Sequence, residues 1–146
     1  MTTVAVRGLT LAVDSQVTCS GVKTGSTIKW CKMPKRLGGG YMAGTGEFAD
    51  VVRFLSVFGE CDPLKGVEAI HIKDGGELVI YEKGMPISAP TGIEFQAIGS
   101  GWELALGAME MGASAESAVK VASKYCVYTG GEIHVLTVEP NRVDLE

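Results

Sequence analysis

Histidine is scarce in this sequence. There are two, His71 and His134, and both lie in alternating, strand-like runs where a core or surface role is the ordinary one. A Ser-His or Cys-His nucleophile pair would have to draw on these two alone. The four cysteines, Cys19, Cys31, Cys61 and Cys126, form no C-x-x-C pair and no zinc-ligand spacing, so buried thiols are the simple reading. No basic run is present and the net charge is −4, which argues against a nucleic-acid partner. No apolar run approaches the length of a membrane span. The opening MTTVAVRG lacks the basic, apolar and cleavage segments of a signal peptide. A cytoplasmic location with no membrane partner is the resulting expectation.

The composition that remains is that of a folded chain. At 146 residues and 46% apolar content, one domain over residues 1–146 with a real core is expected, with no repeat or linker. Glycine is the abundant residue, 20 in all, about twice the usual share. The glycines gather in LGGGYMAGTG, KDGGEL, IGSG and YTGGE, which suggests tight turns and close backbone approaches at strand ends.

Period and punctuation give the elements. TVAVRG and LTLAVDSQVT read as two strands joined at Gly8, followed by strand material in STIKW and GGYMAG. In EFADVVRFLSVFGE the apolar residues Phe48, Val51, Val52, Leu55 and Phe58 recur at helical spacing. VEAIHIK and ELVIYEKG predict a hairpin about KDGG, and FQAIGSG a strand ending in a glycine turn. WELALGAMEMG and ASAESAVKVASKYCVYTGG read as helices, the second with Ser114 as N-cap. EIHVLTVE closes as a strand. Strand runs separated by helix runs predict an α+β fold with antiparallel sheets covered by helices.

Several short stretches could carry chemistry. If Met1 is removed, Thr2 bears a free amine and a hydroxyl in one residue, a base beside a nucleophile; an α-amine with a reference pKa of about 8 is well suited to that task. Asp14, in AVDSQVT, is an acid among apolar neighbours in a strand-like run, where aspartate is depleted. Lys32, in KWCKMPKRL, would matter as the partner of such an acid, since an Asp-Lys pair lowers the proton affinity of an adjacent hydroxyl; Lys29 and Lys35 lie in the same segment. Gly46 falls just before a predicted helix, where main-chain N–H groups can meet an oxyanion. Ser100 stands between two glycines at a strand-to-helix turn, where a plain N-cap would also explain it. The stretch AIGSGW does not fit the G-x-S-x-G elbow of the α/β-hydrolases.

Taken in order, these stretches resemble the proteasome β-subunit family, and its HslV-type peptidases in particular. TTVAVRG resembles the family's processed N-terminal strand. AVDSQVT resembles its Asp-Gly-Gln-x-Thr segment, with Ser15 in place of glycine. AGTGEFAD, AIGSG and KYCVYTGG resemble its glycine turn, its Gly-Ser-Gly turn and its Cys-x-Tyr-Thr ending. The resemblance implies the four-layer α-β-β-α sandwich of the N-terminal-nucleophile hydrolases. Its first helical layer would be shortened, because CDPLKG leads straight into VEAIHIK where the family has a second long helix. It implies a threonine-type endopeptidase in which Thr2 attacks peptide carbonyls. Asp14 and Lys32 would tune the nucleophile, Gly46 would supply the oxyanion N–H, and Ser100 would assist proton traffic. It also implies a sodium ion held by main-chain carbonyls at Ser123, Cys126 and Thr129. The implied partners are copies of the chain in a single or double hexameric or heptameric ring, an AAA+ unfoldase ATPase, and unfolded polypeptide substrates. The alternatives are a catalytically silent subunit of the same fold and an N-terminal-nucleophile amidohydrolase acting on small amides.

Overall fold

A computed structural model of the chain describes residues 2–89 and 94–140; the expected removal of Met1 concerns a residue outside that range. The chain is α+β. Strand β1 (Thr3–Arg7) turns at Gly8 into β2 (Thr10–Val13). β10 (Phe95–Gly99) pairs with the free side of β1, and β11 (His134–Thr137) with the free side of β2, all antiparallel. A second antiparallel sheet runs in chain order through β5 (Trp30–Lys32), β6 (Tyr41–Gly46), β7 (Val67–Ile72), β8 (Leu78–Glu82) and β9 (Met85–Ser88). β3 (Gln16–Cys19) and β4 (Val22–Ser26) form a separate hairpin, and β4 is exposed throughout. The helices are α1 (Phe48–Ser56), α2 (Trp102–Glu110) and α3 (Ala115–Tyr125). Among the described residues no helix is long and apolar enough to cross a membrane.

The period-two alternation of the strands decides what packs where. From the first sheet, Val4, Val6, Leu11, Val13 and Ile98 form one apolar cluster with Ala43, Ile70 and Ile72 of the second sheet. The intervening residues Ala5, Ala12 and Ala97 point the other way. Being small, they let α2 and α3 come close through Ala105, Met109, Ala115, Ala118 and Val119. On the second sheet, Met42, Val67 and Ala69 meet Val51, Phe54 and Leu55 of α1. Both faces of each sheet are thus used, and TVAV is buried along its whole length. Among the described residues one helix, α1, packs on the second sheet, and Ser114 caps α3 by accepting the Ser117 N–H at 3.1 Å.

Three features differ from the sequence reading. LTLAVDSQVT is not one strand: β2 stops at Val13 and β3 begins at Gln16, because Asp14 and Ser15 leave the sheet to bond with a distant loop. The α1 face is rotated. Val51, Phe54 and Leu55 are buried, whereas Phe48 is 52% and Val52 46% exposed, and Phe58 lies beyond the helix with φ +56°. The edge strand β9 was hidden by Pro86, a residue confined to sheet edges. Its turn is Lys83-Gly84, both at positive φ, the backbone of a two-residue hairpin loop.

His71 sits in the core of the second sheet and its Nε2–H donates to the Gly39 carbonyl at 2.7 Å. Burial pushes its pKa below 6.5, against the upward pull of that carbonyl. A neutral buried imidazole costs nothing until the unfolded chain begins to bind the proton that the folded chain refuses. Stability should therefore fall as pH drops below about 6.5, by at most about 1.4 kcal/mol per pH unit from this group. Thermal melts between pH 7 and pH 5 should show a shallower decline for His71→Gln than for the wild type.

Candidate active site

The break between β2 and β3 builds the site. Leaving the sheet, the 14–16 segment grips the Gly130 peptide from both sides. The N–H groups of Ser15 and Gln16 donate to the Gly130 carbonyl at 3.2 and 3.0 Å, and the Gly130 N–H donates to Asp14 Oδ2 at 2.9 Å. Gln16 Nε2 adds a bond to the Val127 carbonyl at 3.0 Å. A Cβ at position 130 would fall 2.3 Å from Gln16 Oε1, so the absence of a side chain there leaves room for the contact. Asp14 is fully buried, and its other oxygen, Oδ1, accepts the Thr3 N–H at 3.2 Å and the Thr2 hydroxyl at 2.5 Å. Main-chain donors from two segments hold this carboxylate under the Thr2 side chain.

The lysine beside this pair is Lys29, which corrects the expectation of Lys32. The Lys29 carbonyl accepts the Gly44 N–H at 3.0 Å, and Trp30 opens β5 opposite Ala43. Lys29 is therefore the last residue before the strand, and its side chain is buried. Its Nζ donates to Thr2 Oγ1 and lies 3.1 Å from Asp14 Oδ1. Burial lowers its pKa and the Asp14 charge pulls it back up. Lys32 is exposed at the far end of β5, opposite Tyr41, where its charge is felt by Asp74. Lys35, also exposed, pairs with the same Asp74 at 2.8 Å. Three lysines in one short segment carry no pattern that separates them.

Ser100 reaches Thr2 from another side. Its N–H and its hydroxyl both donate to the Thr2 carbonyl, at 2.7 and 3.3 Å. It is not the N-cap of α2; Gly101 holds that position, with no side-chain cap bond. Gly99 permits the approach. Its φ is +96°, and a Cβ there would lie 1.9 Å from the Thr2 carbonyl oxygen. Behind Ser100, the Cys126 thiol lies 3.6 Å from Ser100 Oγ. Burial raises the pKa of that thiol, but hydrogen bonds that favour the thiolate, the one from Thr129 first, bring it below the ordinary value.

Gly46 ends β6 at φ +138°, with no room for a side chain: a Cβ would sit 1.8 Å from the Gly66 carbonyl oxygen. It lines a cleft of about 840 Å³ together with Thr2, Lys29, Phe48, Val52 and Tyr128, a volume in the usual range for a ligand site. The β3–β4 hairpin and α1 both contribute to its lining. The arrangement can do specific chemistry. A hydroxyl held between a carboxylate and an ammonium of lowered pKa is easier to deprotonate than a free one, and the cleft gives it a solvent-open side.

Ser123, Cys126 and Thr129 occupy the end of α3 and the turn after it. The Cys126 carbonyl accepts the Thr129 N–H at 3.2 Å, and the Ser123 hydroxyl is buried without a partner. Among the described residues no three His, Cys, Asp or Glu side chains converge as metal ligands. Main-chain carbonyls at a helix C-terminus are the kind of donor a monovalent cation takes.

The sequence matches no family model and no curated protein, but its structure is similar to solved ones. Thiobacillus denitrificans BPH in complex with epoxomicin superposes with a TM-score of 0.69 at 16% identity, over 95% of this chain and 99% of that one. BPH from the same organism, in a second structure, gives 0.67 at 17%, over 96% and 99%. Eukaryotic HslV from Trypanosoma brucei gives 0.68 at 18%, over 94% and 98%. The chain has the fold of these HslV-type proteins.

Proposed function

We propose that this chain is a threonine-type endopeptidase subunit of the HslV and proteasome β-subunit kind, with Thr2 as its nucleophile once the Met1–Thr2 bond is cut. One observation carries the reading: the Thr2 hydroxyl is bonded to both Asp14 and Lys29 at the base of an open cleft. The likeness in fold to HslV-type proteins supports it, as does the BPH structure with epoxomicin. The three apolar clusters favour one domain layered α-β-β-α.

In the proposed reaction the freed Thr2 amine takes the hydroxyl proton while Oγ1 attacks the carbonyl carbon of the substrate peptide. Lys29 stabilises the developing negative charge on Oγ1, and Asp14 holds Lys29 and Thr2 in register. The Gly46 N–H faces the oxyanion. The C–N bond then breaks, the leaving amine takes the proton from the Thr2 amine, and the first product departs. Water, deprotonated by the Thr2 amine, hydrolyses the ester and regenerates the hydroxyl. A sodium ion on the carbonyls of Ser123, Cys126 and Thr129 would fix the end of α3, close to Ser100.

Exposed Phe48, Trp102, Tyr125 and Val127 suit packing between copies of the chain, and a ring would confine the sites to a chamber that only unfolded chains enter. An AAA+ unfoldase as feeder and a cytoplasmic setting belong to the same proposal. The test is hydrolysis of fluorogenic peptides by the assembled protein, with its native mass measured in parallel. We expect a closed oligomer that cleaves peptides. An assembled, processed protein that cleaves only small amides would favour the amidohydrolase alternative, and one that cleaves neither would favour the silent subunit.

A further inference from the structure

We infer that the Cys126 side chain is a positioning residue for Ser100, fixing the hydroxyl that meets the Thr2 carbonyl. The inference rests on the peptidase reading and deepens it. Ser100 is anchored through its main chain, because its N–H donates to the Thr2 carbonyl at 2.7 Å. Its hydroxyl is not fixed by that bond. A serine side chain has three staggered wells, and the structure has the one that reaches the Thr2 carbonyl, at 3.3 Å. The hydroxyl's other neighbour is the Cys126 thiol, 3.6 Å away, with the sulfur as donor. The S–H occupies an acceptor site on Ser100 Oγ and leaves the O–H to point at Thr2.

The thiol has a second partner besides Ser100. Cys126 ends α3, with its N–H on the Ala122 carbonyl at 2.8 Å, which fixes the origin of the side chain. The Thr129 side chain also bonds the thiol. The Thr129 hydroxyl lies 2.8 Å from Thr3 Oγ1, and Thr3 Oγ1 accepts the N–H of Gly101 at 3.1 Å. Gly101 follows Ser100 in the chain, so the bonds close a circuit: Thr3, Thr129, Cys126, Ser100, Gly101 and back to Thr3. Circuits of this kind strengthen one another's bonds, and this one begins at the residue next to the nucleophile. Cys126 is the link in it that touches the Ser100 hydroxyl.

The experiment compares full-length Cys126→Ala, Cys126→Ser, Ser100→Ala and the Ser100→Ala/Cys126→Ala double variant in assembled form, by steady-state peptide hydrolysis. A lost hydrogen bond of this class corresponds to roughly a 3- to 10-fold fall in kcat, with KM within about twofold because the thiol does not line the cleft. Cys126→Ser, which keeps a donor, should recover most of the loss. In the Ser100→Ala background the alanine at 126 should cost nothing further. The cation proposed at this segment is not a confounder, since both variants keep the Cys126 carbonyl. Wild-type kcat in Cys126→Ala, or a loss that adds fully to that of Ser100→Ala, overturns the positioning role and leaves the peptidase reading intact. A wild-type protein without Thr2-dependent turnover overturns both.

Discussion

Thr2→Ala should lower peptide hydrolysis at least about a thousandfold, the scale on which loss of a nucleophile is felt in hydrolases, without unfolding the protein. The second half of that expectation comes from the geometry. Asp14 keeps the N–H groups of Thr3 and Gly130 and the ammonium of Lys29 at 3.1 Å when the Thr2 hydroxyl is gone. The carboxylate stays paired and the 14–16 segment stays docked, so the thermal midpoint should move little. Thr2→Ser retains Oγ and should remain active, within about tenfold of the wild type. Fluorogenic peptide assays and melts on the same preparations give both quantities. Wild-type turnover in Thr2→Ala would remove the nucleophile from the account, and an unfolded Thr2→Ala would mean that this residue matters chiefly for structure.

Lys29→Met should cost about a hundredfold or more in kcat, whereas Lys32→Ala should stay within about twofold. Methionine matches the lysine stem in bulk but brings no charge to Thr2 Oγ1. This variant should also be destabilised, by up to about 3 kcal/mol, because it strands a buried carboxylate; the main-chain donors on Asp14 limit the damage. Lys29→Arg should not rescue, since a planar guanidinium cannot replace a compact ammonium in a site this enclosed. Lys32 is exposed, beside Asp74 on another part of the surface. Equal losses from Lys29→Met and Lys32→Ala would contradict the geometry of the site.

Much of this molecule is legible in its sequence, and the rest is not for stateable reasons. The alternation in TVAV and TLAV and the helical spacing in ASAESAVKVASKY come from burial, so they read directly as strands and a helix. Asp14 is also legible, because an acid amid TLAV needs a reason to be there. That it ends the strand is not, since its bonding partner Gly130 is 116 residues away. No local pattern separates Lys29 from Lys32, because the difference depends on where β5 begins, and that is set by pairing with β6 across the glycines at 38–40. The turn that holds Ser100 is legible, but its short-range signal is that of an N-cap. Its contact with Thr2 exists only because β10 pairs with β1 in the register Thr3 to Gly99. The circuit through Cys126 had no local signal of any kind. Long-range register, which no single window of sequence encodes, supplied each of the missing parts.

The central claim is that a free amine and a hydroxyl on Thr2 act together. The most direct measurement is the intact mass of the assembled protein before and after incubation with a peptide epoxyketone, a warhead whose ring-forming adduct needs both groups on one residue. The account predicts one adduct per chain, found only on chains lacking Met1, mapped to Thr2, and absent from Thr2→Ala. A fully processed, assembled protein that takes up no inhibitor, or an adduct that persists in Thr2→Ala, would contradict it.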